Sequence, residues 1–268
     1  MVRGPMTTPR LLTIPFSHYC EKARWALQHA GVAFAEEGHL PPFHAPGVRR
    51  AGGKRSVPVL VTDEGVINDS SEILRYADRK APEGRKLFGD SEAERREIEA
   101  LEDLCDEDLG PHARRWIYFH ILPVREVMTQ LTGQGEPGWE RVAFTAGLPV
   151  IRLLMRRAMR IDAEGAARSR SKIDQVFDRI AERLSDGRPF LVGARPSAAD
   201  FTFASLAAPV LAPPGYGARL PSDEDMPPEA AAGLRAYREH PAGKWAMRFY
   251  EEHRASPTQR AQRTAKEG

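Results

Sequence analysis

The chain of 268 residues is 41% hydrophobic and 28% charged, the balance of a water-soluble protein able to bury a sizeable core. Its 39 basic and 37 acidic residues leave a net charge of only +2, which gives no electrostatic reason to expect a nucleic-acid partner. Two cysteines, Cys20 and Cys105, are too few for a disulfide framework or a cysteine zinc site, and the expectation is a reducing compartment, the cytoplasm.

Residues 1–10 lack the apolar stretch of a signal peptide and read as a short disordered lead. The run 11–14 is apolar and β-leaning. From Tyr19 the period changes, with Tyr19, Ala23, Ala26, Leu27 and Ala30 on one helical face and Gly31 as a C-terminal stop. Residues 32–34 are the next expected strand. Pro41, Pro42, Pro46, Gly47, Gly52 and Gly53 mark a long irregular connection. Residues 57–61 read as a buried strand, 63–65 as a tight turn and Val66-Ile67 as its hairpin partner. Asp69 or Ser70 then opens a helix with Ile73, Leu74 and Ala77 on one face. The order is βαβ followed by ββα.

A linker at 81–85 ends the strand patterns, and helical periodicity takes over. Ser91 and Glu94 have capping-box spacing, and Ile98, Leu101, Cys105 and Leu109 continue a buried stripe. Residues 132–138 form a Gly-rich break. A helix carrying Val150, Leu153, Leu154 and Ala158 follows, with Pro149 as its start or a kink. Further helices are expected at 172–184, 197–211, 229–238 and 243–252, before a polar tail. No stretch of about 18 apolar residues occurs, so no membrane span is expected and membrane association is not favoured.

Four segments carry chemistry. In the first, Pro15-Phe16-Ser17-His18-Tyr19-Cys20 leads from strand to helix, and a helix N-terminus favours an adjacent anion. Ser17 is either an N-cap or a donor to such an anion, and the two roles are compatible. In the second, Ser56-Val57-Pro58-Val59-Leu60 puts a proline at a strand start. The third, Asn68-Asp69-Ser70-Ser71-Glu72, is a helix cap directly after a hairpin. In the fourth, Ser197 and Asp200 have S-x-x-D spacing behind Phe190-Leu191-Val192-Gly193.

In this order and spacing the four segments resemble the glutathione S-transferase family over roughly residues 10–253. The resemblance implies a thioredoxin-like α/β domain at 10–80, an all-helical domain at 90–253 and a disordered tail at 254–268. It implies a cis proline at Pro58, with the Val57 backbone pairing with the cysteinyl part of glutathione as an added strand. Asp69 would then meet the α-ammonium of the γ-glutamyl group, and Ser70 its α-carboxylate. The Ser197–Asp200 box is a folding element in that family. Glutathione is the implied co-substrate, a small hydrophobic electrophile the second substrate, and a homodimer the implied assembly.

The first strand offers no tyrosine for the thiolate, so Ser17 is the candidate donor, lowering the thiol pKa. Cys20 is its rival, either through a lowered pKa and monothiol exchange or as a buried packing residue. Lys54 is chosen for the glycine carboxylate, against a solvated basic loop with Arg49, Arg50 and Arg55. The eight histidines show no metal-ligand spacing, and no metal is assigned. The segment 117–161, with Arg152, Arg156, Arg157 and Arg160, reads in three ways. It is a lid near Trp116, Tyr118, Phe119 and Trp139, a membrane-surface helix, or a charged face over ordinary core. Three functions stay open: a conjugating enzyme, a non-catalytic binding module of this fold, and deglutathionylation through Cys20.

Overall fold

Alternation along one short strand sorts the first eighty residues into two layers. The computed structural model describes residues 8–254, and strand β1 (Arg10–Thr13) lies at the centre of its sheet. Leu11 joins the main core, while its neighbour Leu12 meets Val48 and Val59 on the opposite face. Residues 1–7 of the expected lead (1–10) and 255–268 of the expected tail (254–268) lie outside the described residues, but Arg10 belongs to the strand and Arg254 is buried and paired with Glu21, so neither is disordered.

Helix α1 (His18–His29), strand β2 (Ala35–Gly38), helix α2 (His44–Arg50), strands β3 (Val59–Thr62) and β4 (Gly65–Ile67) and helix α3 (Ser70–Lys80) complete the unit. The sheet order is β2-β1-β3-β4. β1 runs parallel to β2 (Leu11 opposite Glu36) and antiparallel to β3 (Leu11 opposite Leu60). Helices α1 and α3 pack together, and α2 packs on β1. This is the thioredoxin-like arrangement.

Two elements differ from the sequence reading. The second strand is Ala35–Gly38 rather than 32–34, because it is an edge strand whose charges find partners instead of a core. Val32 and Phe34 precede it and pack against the core from a loop. The proline- and glycine-rich connection contains α2, since Pro46 sits in its first turn, where a missing N–H costs nothing.

After a 3₁₀ turn at Glu83–Arg85 every further element is helical: α4 (Glu92–Leu104), a π-helical turn Cys105–Leu109, α5 (Gly110–Ile121), α6 (Arg125–Gln130), α7 (Gly138–Met159), α8 (Ala163–Arg183), α9 (Ala198–Leu211), α10 (Pro228–Glu239) and α11 (Pro241–His253). The Ser91–Glu94 capping box is present at the start of α4. Helix α7 runs through Pro149 without a break. Almost every residue of α9 is buried, as expected of a helix apolar on all sides, and it packs on α1, α4, α5, α10 and α11. Trp25 of α1 contacts Phe201, Phe249 and Tyr250 there, with ring centroids 4.5–5.2 Å apart.

The polar side of α1 is buried too, and its charges are paired. Lys22 Nζ reaches Glu102 at 2.9 Å, Asp106 at 2.7 Å and the Ser71 hydroxyl at 2.9 Å. Glu21 and Arg24 form a second network with Glu36 and Arg254. These contacts tie the α/β unit to the helical domain.

At the head of α9, buried Asp200 accepts from the Leu191 N–H (2.7 Å), the Ser197 N–H (2.7 Å) and the Ser197 hydroxyl (2.6 Å). Burial outweighs these bonds and pushes its carboxyl up from 3.8 to about 6. Between those values the folded state holds a proton that the unfolded state has released. Stability therefore falls as pH rises through that window, by about 3 kcal/mol in all. Unfolding in urea from about pH 4 to 7 should show this decline in the native protein and lack it in Asp200→Asn. Parallel pH profiles would contradict the assignment.

Candidate active site

The turn between β1 and α1 builds the floor of the site. The Ser17 N–H bonds Ile14 O at 2.9 Å, and Ser17 O receives the Glu21 N–H at 2.9 Å, so the backbone is in N-cap position. The side chain nevertheless makes no capping bond, and its partner within the chain is the Cys20 thiol one turn on. Ser17 also lines a cavity of about 530 Å³ between the two domains.

Cys20 lies one turn further and is not part of the cavity lining. It is fully buried, and burial pushes its thiol up to about 11 despite Arg24, a backbone bond and Ser17 pulling the other way. The expected option of a lowered pKa is therefore corrected: at neutral pH the group is a thiol with no path to solvent. The alternative reading, a buried packing residue, is the one the structure bears out. Cys105 is equally buried. His18 is buried with Nε2 3.0 Å from Gly110 O, and burial together with Arg114 holds its pKa down to about 3.

The Val57–Pro58 peptide is cis, as the resemblance implied. Val57 also lines the cavity, and neither its N–H nor its C=O is hydrogen-bonded among the described residues. An extended backbone laid beside it would find both groups available. Pro58 itself is buried at the head of β3.

The other predicted residues stand outside the cavity. Asp69 is exposed and caps α3, accepting from the Ser71 N–H (2.8 Å) and the Glu72 N–H (3.3 Å). It is near enough to act electrostatically on Tyr19, two positions from Ser17. Ser70 is buried at the first position of α3. Lys54 is exposed, with its backbone N–H on Asn68 Oδ1 at 2.8 Å, and it is the neighbouring Arg55 that reaches the cavity. So Ser17 and Val57 meet in the cavity, while Lys54, Pro58, Asp69 and Ser70 are not among its lining residues.

The helical domain supplies the far wall. Ile117, Met155, Met159 and Pro209 make it apolar, and Arg114 and Tyr118 add polar groups one helical turn apart on α5. Of the aromatics placed near a lid, only Tyr118 lines the cavity, whereas Trp139 is 62% exposed. Helix α7 thus serves as a wall through its last turns, and Phe144, Leu148 and Ile151 fix it to the core. Arg114 and His44 went unrecognised in the sequence because they follow no motif, while Arg55 was placed only in the solvated basic loop. A larger depression of about 810 Å³ among the loops at 212–223 contains none of the predicted site groups. Among the described residues no cluster of three or more His, Cys, Asp or Glu could hold a metal, and no helix is long and apolar enough to cross a membrane.

Comparison with known proteins agrees with this architecture. The family profile for the glutathione S-transferase N-terminal domain matches residues 11–85, and that for the C-terminal domain matches residues 163–240. No curated protein matches significantly. Among solved structures, a poplar glutathione transferase is 14% identical, with a TM-score of 0.60 over 97% of this chain and 99% of that one. The β-etherase LigF of a Sphingobium species is 21% identical, with a TM-score of 0.58 over 90% of this chain and 99% of that one. A glutathione S-transferase of Methylobacterium radiotolerans, solved with glutathione sulfonate, is 20% identical, with a TM-score of 0.51 over 90% and 95%. With two domain profiles matched in order, a thioredoxin-like sheet and a helical second domain, the chain belongs to the glutathione S-transferase family.

Proposed function

We propose that this protein binds glutathione and activates its thiol for attack on a hydrophobic electrophile. The reading assigns glutathione to the domain at 10–80 and the electrophile to the pocket completed by the domain at 90–253. The observation that carries it is Ser17, an N-cap serine whose hydroxyl is not used as a cap and which borders a largely apolar cavity. A thiolate held there receives a hydrogen bond and the field of the α1 N-terminus, both of which favour the anion. Catalysis is then pKa lowering plus proximity.

In this reading Val57 pairs with the cysteinyl backbone, and Asp69 and Ser70 hold the γ-glutamyl end. Lys54, assisted by Arg55, meets the glycine carboxylate. Glutathione is a co-substrate, no metal takes part, and a cytoplasmic homodimer is the assembly and location we assign. Deglutathionylation through Cys20 is disfavoured by its burial and raised pKa.

The test is retention on immobilised glutathione, calorimetric titration with free glutathione, and conjugation to a chlorodinitrobenzene. Retention with turnover is the expected result. Retention without turnover would move the protein to the non-catalytic binding module, and no retention with no heat of binding would end the proposal.

A further inference from the structure

The cavity carries a cation that the protein leaves unpaired. Arg114 lines it from α5, makes no hydrogen bond or ion pair among the described residues, and has its Nε buried without a partner. Arg55 lies on the same lining, and no aspartate or glutamate does. The fully buried cations of α1 are matched, Lys22 by Glu102 and Asp106 and Arg24 by Glu21 and Glu36, whereas Arg152 of α7 also has unpartnered buried nitrogens but does not line the cavity. The neighbours that feel Arg114 are His18, Tyr19, Arg115 and Tyr118, none of which supplies a negative charge at neutral pH.

A guanidinium without a counter-charge in a half-closed cavity is costly unless a ligand brings the anion. Its planar fork matches a carboxylate in two parallel hydrogen bonds. Tyr118 lies four residues on, on the same helical face, and its hydroxyl has no hydrogen bond among the described residues. The surrounding Ile117, Met155, Met159 and Pro209 suit an apolar body.

Resting on the reading of this cavity as the second-substrate pocket, we infer that the second substrate is an organic acid, an apolar body whose carboxylate is held by Arg114 and Tyr118. The charge selects among electrophiles, while the apolar wall supplies most of the contact area.

The experiment is binding of naphthoate and naphthamide, the same ring with and without the charge, to the native protein without glutathione, followed by calorimetry. Native protein should bind the carboxylate at least about tenfold more tightly than the amide. Arg114→Met should remove that preference, and Arg114→Lys should restore part of it. Equal affinity of native protein for the two compounds overturns the inference without any variant, so a folding failure in Arg114→Met cannot rescue it. A preference that survives Arg114→Met and vanishes in Arg55→Met also overturns it. Glutathione titrated into the same variants separates the remaining case. If Arg114→Met weakens glutathione and leaves the naphthoate preference intact, the arginine serves glutathione and the inference fails. If native protein binds no glutathione yet shows the charge preference, the conjugation proposal fails and the acid site stands.

Discussion

Ser17→Ala should lower kcat/KM for glutathione conjugation by about 10²–10³-fold, the loss seen when one preorganised donor to a developing anion is removed. The substitution deletes the hydroxyl and, within the fold, only its bond to the buried Cys20 thiol. Replacing a capping serine normally costs about 1 kcal/mol, but here the hydroxyl makes no cap bond, so the melting temperature should barely move. Glutathione affinity should change little, because Val57, Asp69, Ser70 and the basic loop are untouched. The limb of the pH–rate profile that reports thiol ionisation should shift to higher pH in the variant, since the bound thiol has lost its donor. Cys20→Ala is the companion experiment. Its thiol is sealed from solvent, so activity should persist with a modest loss of stability from the small cavity. If Cys20→Ala abolished turnover and Ser17→Ala did not, the mechanism would have to pass to the cysteine.

Glu21→Ala should destabilise the protein by about 3–5 kcal/mol, a large share of the roughly 5–15 kcal/mol that holds a folded domain. The carboxylate is fully buried and receives Arg24 at 2.6 Å, Arg254 at 2.8 Å and the Gly217 N–H at 3.1 Å. Arg24 also bonds Glu36 at 2.5 Å and 2.9 Å, and Arg254 bonds Gln28. Removing Glu21 leaves Arg254, beyond the end of α11, without its only carboxylate partner among the described residues. Burial by itself would raise the Glu21 pKa, yet Arg254 and Arg24 together hold it below 4.5. Because the folded carboxyl titrates lower than the unfolded one, its contribution is complete above that pH and drains away as pH falls further. Asp200 acts with the opposite sign, so the two groups oppose each other in acid. Urea unfolding near neutral pH measures the effect, and a variant within about 1 kcal/mol of the native protein would show that the network contributes little.

Residues 15–27, 56–60, 68–76 and 190–201 were legible in the sequence because their instructions are local. A cap needs a short polar side chain a few residues before its partner, and a hairpin needs its turn residues, so Asp69 and the Ser197–Asp200 box could be placed without knowing what surrounds them. The same locality made the βαβ-ββα order and the helical second half readable. It failed at Ala35–Gly38, where an edge strand with two glutamates shows no apolar run, and at α2, hidden among prolines.

What only the tertiary structure decided is burial, and with it the chemistry of the charged and thiol groups. Glu21, Lys22 and Arg24 look in the sequence like the wet side of an amphipathic helix, but α9 and α3 pack on α1 and the carboxylates of three other elements meet it. Cys20 was open to two readings, a reactive thiol at a helix start or a buried packing residue, and full burial in the folded chain decided for the second. Arg114 and Tyr118 belong to no motif, since a cavity wall is assembled from helices distant in the chain. Local hydrogen-bonding geometry is written over a few residues, whereas desolvation depends on every element that packs around a group, and that sum exists only in the folded chain.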